Sequence, residues 1–172
     1  MRKLIPFLIL ASLVGCVSGE KHELGPEWKP LEDIRERPRV LRDAGSPTAI
    51  TTVGKHAYVR DLDEWLTRVP PGSAKYKGIL RHEQEHSIRQ LKRGTFLWIT
   101  QYSYDAKFAL EEEQIGFYWE MTTRRKNGEF VSAENYARVL SGYKTILGGK
   151  RLISYEDALV WARDVLAGRW KP

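Results

Sequence analysis

Ile79-Leu-Arg-His-Glu-Gln-Glu-His-Ser-Ile-Arg-Gln90 places His82, Glu83 and His86 in the order His-Glu-x-x-His inside a run with helical periodicity. Side chains four apart on a helix stand one above the other on the same face, so the imidazoles of His82 and His86 are positioned to reach one ion. Glu83 falls about 100° round the helix, where a carboxylate can take a proton from water beside a metal without becoming a ligand. Ile79, Leu80, Ile88 and Leu91 supply the apolar positions of this helix. The Pro70-Pro71-Gly72 turn stands before it and Gly94 ends it. The stretch reads as a zinc site in the making.

Two histidines do not complete such a site, because a catalytic zinc needs a third protein ligand and one open position. Twenty-five residues past His86 comes Leu110-Glu111-Glu112-Glu113-Gln114, within a second helical run from about Tyr102 to Arg125. Counting about 100° per residue from Tyr104 gathers Phe108, Ile115 and Thr122 into one inward stripe. On that count Glu111 lies within the stripe, Glu112 on its flank, and Glu113 points away. A carboxylate on a buried face is costly unless a cation meets it, so Glu111 is the expected third ligand.

A helix bearing His-Glu-x-x-His, followed some twenty-five residues later by a helix with a glutamate ligand, resembles the gluzincin branch of zinc metallopeptidases, and at this length their compact, minimal members. The resemblance covers roughly residues 48–121 and is strongest at residues 82–86. It implies a hairpin or small sheet before the first helix and a ligand segment of the type Glu-x-Glu-Ala on the second. The matching segment is Glu111-Glu112-Glu113-Gln114, whose first glutamate maps to the ligand. Gln114 replaces the usual small residue, which leaves the choice between Glu111 and Glu112 open. The fold class expected is therefore α+β, a mostly helical zincin-like domain with a small β-hairpin or sheet ahead of the metal helix.

The chain opens with Arg2 and Lys3 and an apolar stretch, Leu4 to Val14, far short of the roughly 20 residues that span a bilayer as a helix. This reads as a secretion signal. Leu13-Val14-Gly15-Cys16 resembles a bacterial lipobox, with the single cysteine of the chain lipidated after cleavage. Residues 1–15 are thus expected to be a lipoprotein signal peptide, and the protein to sit on the bacterial cell envelope, on the outer membrane if the cell is Gram-negative. Several acyl chains would hold it there stably. Without residues 1–15, Lys plus Arg falls from 28 to 26 against 22 acids, a net charge of about +4. No clustered basic and aromatic array of the kind that binds nucleic acid is present.

Residues 16–42 are polar and carry Pro26, Pro30 and Pro38, and read as a tether, although Trp28 is equally suited to strap onto the domain. Residues 43–172 read as one metallopeptidase-like domain. In it, Thr48 to Arg60 has β-branched residues either side of Gly54-Lys55, a hairpin signal, and Leu62 to Val69 a short helix begun by Asp61 or Asp63. Thr95 to Thr100 is apolar enough to be a strand or the first turns of a helix, with Phe96, Leu97, Trp98 and Ile99 expected in the core. Ser132 and Ser154 open two further helices.

The function expected is membrane-anchored, zinc-dependent hydrolysis of peptide bonds in a peptide or protein substrate. Zn2+ held by His82, His86 and Glu111 would activate a water, and Glu83 would act as general base. Tyr102, Tyr104, Tyr118, Tyr136 and Tyr143 are the available oxyanion donors, and the sequence selects none. The rival reading is a non-enzymatic surface lipoprotein for binding, immunity or assembly, with a structural metal or none. Cleavage of peptidoglycan stem peptides ranks below proteolysis, because zinc enzymes of that kind generally use other ligand spacings.

Overall fold

Gly54 and Lys55 form the two-residue turn of a hairpin, with Gly54 at φ +60, between β3 (Ile50–Val53) and β4 (His56–Val59). A computed structural model describes residues 20–37 and 49–172; the expected signal peptide and Cys16 lie outside the described residues. Two further strands, β1 (Lys21–Glu23) and β2 (Asp33–Glu36), complete a sheet of order β1-β2-β4-β3. β1 runs antiparallel to β2, and β2 runs parallel to β4, with Asp33 opposite His56 and Ile34 opposite Ala57.

This corrects the reading of residues 16–42 as a tether. Residues 21–23 and 33–36 are strands of the sheet, and Leu31 and Ile34 are fully buried. A short 3-10 turn, Pro26–Trp28, brings the chain round. Trp28 straps edge-on against Tyr76, with ring centroids 6.5 Å apart. The strand β2 is hard to see in sequence because its charges are neutralised in place: Arg35 grips Asp33 through two 2.8 Å bonds, and His56 reaches the same carboxylate at 2.9 Å.

Six helices follow among the described residues. Asp61 caps α1 (Leu62–Arg68) by accepting from the Glu64 amide at 2.8 Å, and Ser73 caps α2 (Ala74–Arg93) at the Tyr76 amide. Gly94, at φ +92, separates α2 from α3 (Thr95–Tyr104), so the apolar stretch there is helical. Asp105 ends α3 and caps α4 (Ala106–Lys126) by accepting from the amides of Lys107 and Phe108. Ser132 and Ser154 cap α5 (Ala133–Gly142) and α6 (Tyr155–Leu166).

Two apolar clusters flank the site. Leu31, Ile34, Val59, Trp65 and Leu80 join the sheet to α1 and α2, while Phe117, Met121, Leu140 and Trp161 join α4, α5 and α6. Burying each such side chain is worth roughly 1.5–3 kcal/mol. Between the clusters α2 and α4 lie side by side. Glycines permit the approach: a Cβ on Gly78 would come within 2.5 Å of the Arg124 side chain and 3.1 Å of the Glu120 carbonyl.

The buried face of α2 is polar. His82, Glu83, Gln84, His86, Ser87 and Gln90 are buried, while the apolar Ile88 and Leu91 are exposed. Three of these polar side chains tie the helix to backbone distant in sequence. Gln84 donates to the carbonyl of Lys29 at 2.6 Å, Ser87 to that of Gly54, and Gln90 to that of Thr52. Of the four residues expected in the α3 core, Trp98 and Ile99 are buried whereas Phe96 and Leu97 face outward.

Candidate metal centre

His82 and His86 project from the middle of α2 toward α4, and their Nε2 atoms lie 2.9 Å apart. Glu113 completes the group: its Oε1 is 3.5 Å from His86 Nε2 and its Oε2 3.7 Å from His82 Nε2. All three residues are buried, and one ligand atom from each lies within 4.8 Å of the others.

The third member is therefore Glu113, which corrects the assignment of Glu111. Glu111 is exposed on the outer side of α4. Glu112, the other candidate, is buried but taken by Arg89 in a bidentate pair with both bonds at 2.6 Å. The error lay in the helix phase. Tyr104 belongs to α3, and the Asp105 cap starts a new helix, so a count begun at Tyr104 crosses a break. The buried face of α4 holds Ala109, Glu113, Gly116, Phe117, Glu120 and Met121. Within that face the signal was present: a small residue three positions after Glu113 and a second glutamate seven positions on.

Gly116 explains how His82 fits. A Cβ there would lie 2.5 Å from His82 Nε2 and 2.6 Å from Cδ2, so any side chain would occupy the space of the imidazole. On the far side of the ring, His82 Nδ1 faces Glu120 Oε2 at 3.5 Å. Glu120 is itself held by the Tyr136 hydroxyl at 2.6 Å and by Arg124 at 3.0 Å. A carboxylate behind a ligand imidazole sets which nitrogen carries the proton and leaves the other free to face an ion. Sequence reasoning missed this residue.

Aromatic groups close the remaining sides. Phe117 meets His82 edge-on at 4.6 Å, and Trp98 meets His86 at 5.5 Å. Trp98 also stacks on Tyr102, whose hydroxyl donates to Glu113 Oε1 at 2.5 Å. Among the five tyrosines considered from the sequence, Tyr104 is exposed, Tyr118 lies against Trp119 and Trp170, and Tyr136 is committed to Glu120. Tyr102 is the one that bonds Glu113, while Tyr143 packs edge-on against Phe117 and its phenol feels the charge of Glu113.

Electrostatics show what the centre lacks. Burial acts to lower the His82 imidazole, but the Glu120 hydrogen bond and the charges of Glu83, Glu113 and Glu120 override it and raise it to about 9. Burial would raise Glu113, yet its contacts with His86, His82 and Tyr102 hold it below the usual carboxylate range. Negative charge from Glu113, together with burial, pushes the Tyr143 phenol well up. Glu120 has Arg124 as counter-ion, whereas among the described residues Glu113 is met by the two imidazoles and the Tyr102 hydroxyl.

The residues fit a metal ion. Two imidazole nitrogens facing each other can share one proton at best, and Glu113 Oε2 and His86 Nδ1 are buried without a hydrogen-bond partner. A divalent cation bound by His82, His86 and Glu113 would satisfy the facing nitrogens and the orphaned carboxylate oxygen together. The set of two imidazoles and one carboxylate suits zinc among several transition metals.

Glu83 is also buried but stands outside the three-residue group, with its Oε2 accepting from the Thr52 hydroxyl at 2.8 Å. Thr52 sits on β3, an edge of the sheet, so the hairpin positions the carboxylate next to the centre. Replacing Glu120 with glutamine keeps an acceptor for His82 but removes the charge. Metal affinity, measured by competition with a chromogenic chelator, is expected to fall about 10–100-fold.

No family model, curated protein or solved structure matches the chain at a significant level.

Proposed function

We propose that the protein is a zinc metallopeptidase, held on the bacterial envelope through a lipidated Cys16. The observation that carries this reading is the division of labour among buried acids: Glu113 faces both imidazoles, while Glu83, next in sequence to His82, stands aside on Thr52. A structural zinc site needs no such second carboxylate, whereas hydrolysis does.

Zinc, when bound by His82, His86 and Glu113, would supply Lewis acidity, easing deprotonation of a water and polarising a peptide carbonyl. Glu83 would be the group that accepts a proton from the attacking water and returns it to the departing amine. The Thr52 hydroxyl fixes the direction of the Glu83 carboxylate. Tyr102 already gives its one hydroxyl proton to Glu113, which leaves Tyr143, packed edge-on against Phe117, as the phenol at hand to donate to a developing oxyanion.

No helix among the described residues is long and apolar enough to cross a membrane, and in this reading the anchor is the lipid on Cys16. The test is a full-length preparation in detergent micelles, assayed for metal and for cleavage of a mixed peptide panel. About one zinc per chain is expected, with cleavage falling to background on treatment with 1,10-phenanthroline and returning on addition of zinc. Zinc-loaded protein that cleaves nothing would favour the binding or assembly reading instead.

A further inference from the structure

Two polar stripes run along α2, one residue out of step. His82, His86 and Arg89 face α4, where they meet Glu113 and Glu112. Glu83, Ser87 and Gln90 repeat the same spacing and face the hairpin. Glu83 accepts from the Thr52 hydroxyl at 2.8 Å, and Ser87 donates to the Gly54 carbonyl at 2.6 Å. Gln90 donates to the Thr52 carbonyl at 2.9 Å, and its oxygen accepts from the Gly54 amide at 2.8 Å. Metal-binding groups and base thus leave one helix in two directions.

Gln90 is the member of the second stripe that packing does not explain. It is 1% exposed, and a buried amide is costly unless both its ends are bonded. A methionine would fill the same space at no such cost. What glutamine adds is a grip on backbone. The two groups it takes, a carbonyl and the amide two residues on, are a pair that a neighbouring strand would take. Among the described residues β3 ends the sheet, so the Gln90 side chain stands in for a strand at that edge. The residue it holds there is Thr52, itself 5% exposed, whose hydroxyl reaches Glu83.

We infer that Gln90 is a positioning residue for hydrolysis: by holding the Thr52 carbonyl and the Gly54 amide it fixes where β3 lies along α2, and so aims the Thr52 hydroxyl at Glu83. It acts through Thr52 and has no place in the three-residue metal group. The inference rests on the peptidase reading and adds to it the side chain that keeps the base in line.

The experiment is a double-mutant cycle on the full-length protein in micelles, with kcat and KM measured on the peptide of the panel that wild type cleaves best. Gln90→Met keeps the length of the side chain and removes both bonds; Thr52→Val keeps the shape of threonine and removes the hydroxyl. Each should keep about one zinc and lose kcat about 10–100-fold, with KM within about twofold of wild type, as for a misplaced catalytic group. The double variant should lose no more than the worse single one, because without the hydroxyl Gln90 has nothing left to aim; independent losses would multiply. A glutamine needed only for folding would lower the thermal transition without making its effect on kcat depend on Thr52. Gln90→Glu, which keeps an acceptor for the Gly54 amide and loses only the donor to Thr52, replaces Gln90→Met in the cycle if the latter does not fold, with the same outcome expected. Losses that multiply, a loss confined to KM, or unchanged kcat in the Gln90 variant overturns the inference. Absence of cleavage by zinc-loaded wild type overturns the peptidase reading itself, and this inference with it.

Discussion

Glu113→Ala is expected to reduce bound zinc from about one equivalent to below roughly a tenth after dialysis, while Glu111→Ala leaves it unchanged. The contrast follows from the helix face. Glu113 lies 3.5 Å from His86 Nε2 and 3.7 Å from His82 Nε2, and Glu111 points to solvent. Alanine at 113 also strips Tyr102 of its acceptor, so the loss could be laid to a damaged core. Glu113→Gln separates the causes. Its amide oxygen still accepts from Tyr102, but a neutral amide is a poor partner for zinc, so metal should be lost with the thermal transition little changed. Metal content by plasma spectrometry, with a melt followed by circular dichroism, reads both. Zinc retained in Glu113→Gln, or lost in Glu111→Ala, would remove Glu113 from the ligand set.

Glu83→Gln should keep its zinc and lose turnover by roughly 10²–10⁴-fold, the range attributed to a general base. Glutamine preserves the shape of the side chain and still accepts from Thr52 Oγ1, so the packing between α2 and β3 is kept. What disappears is the ability to take a proton. The loss should fall on kcat more than on KM, since the group acts on the reacting water and not on the resting peptide. Full kcat with normal metal content would deny Glu83 the role of general base.

Much of this architecture could be read from residues alone. The spacing of His82, Glu83 and His86 put them on one helix, and Gly54-Lys55, Asp61, Ser132 and Ser154 mark turns and helix starts by local chemistry. Local signals fail where the contact is distant in sequence. β2 reads as a charged tether because its pairing with β4 comes from beyond residue 50, and its acid Asp33 is neutralised by Arg35 and by His56 across the strands. Phe96 and Leu97 are apolar yet exposed, because the face of α3 turned inward is the one carrying Trp98 and Tyr102 to the centre.

The glutamate triplet draws the line most sharply. Sequence alone determined that one helix carries two imidazoles and a neighbouring acid, since spacings of one and four residues on a single helix leave no freedom in direction. Which of Glu111, Glu112 and Glu113 joins them was decided only by the tertiary structure. Consecutive residues on a helix point about 100° apart, so their fates depend on where Asp105 starts the helix and on how Gly78 and Gly116 let α4 lie against α2. That rotation sends Glu111 to water, Glu112 to Arg89 and Glu113 to the histidines, and it is a property of two packed helices that neither stretch of sequence states by itself.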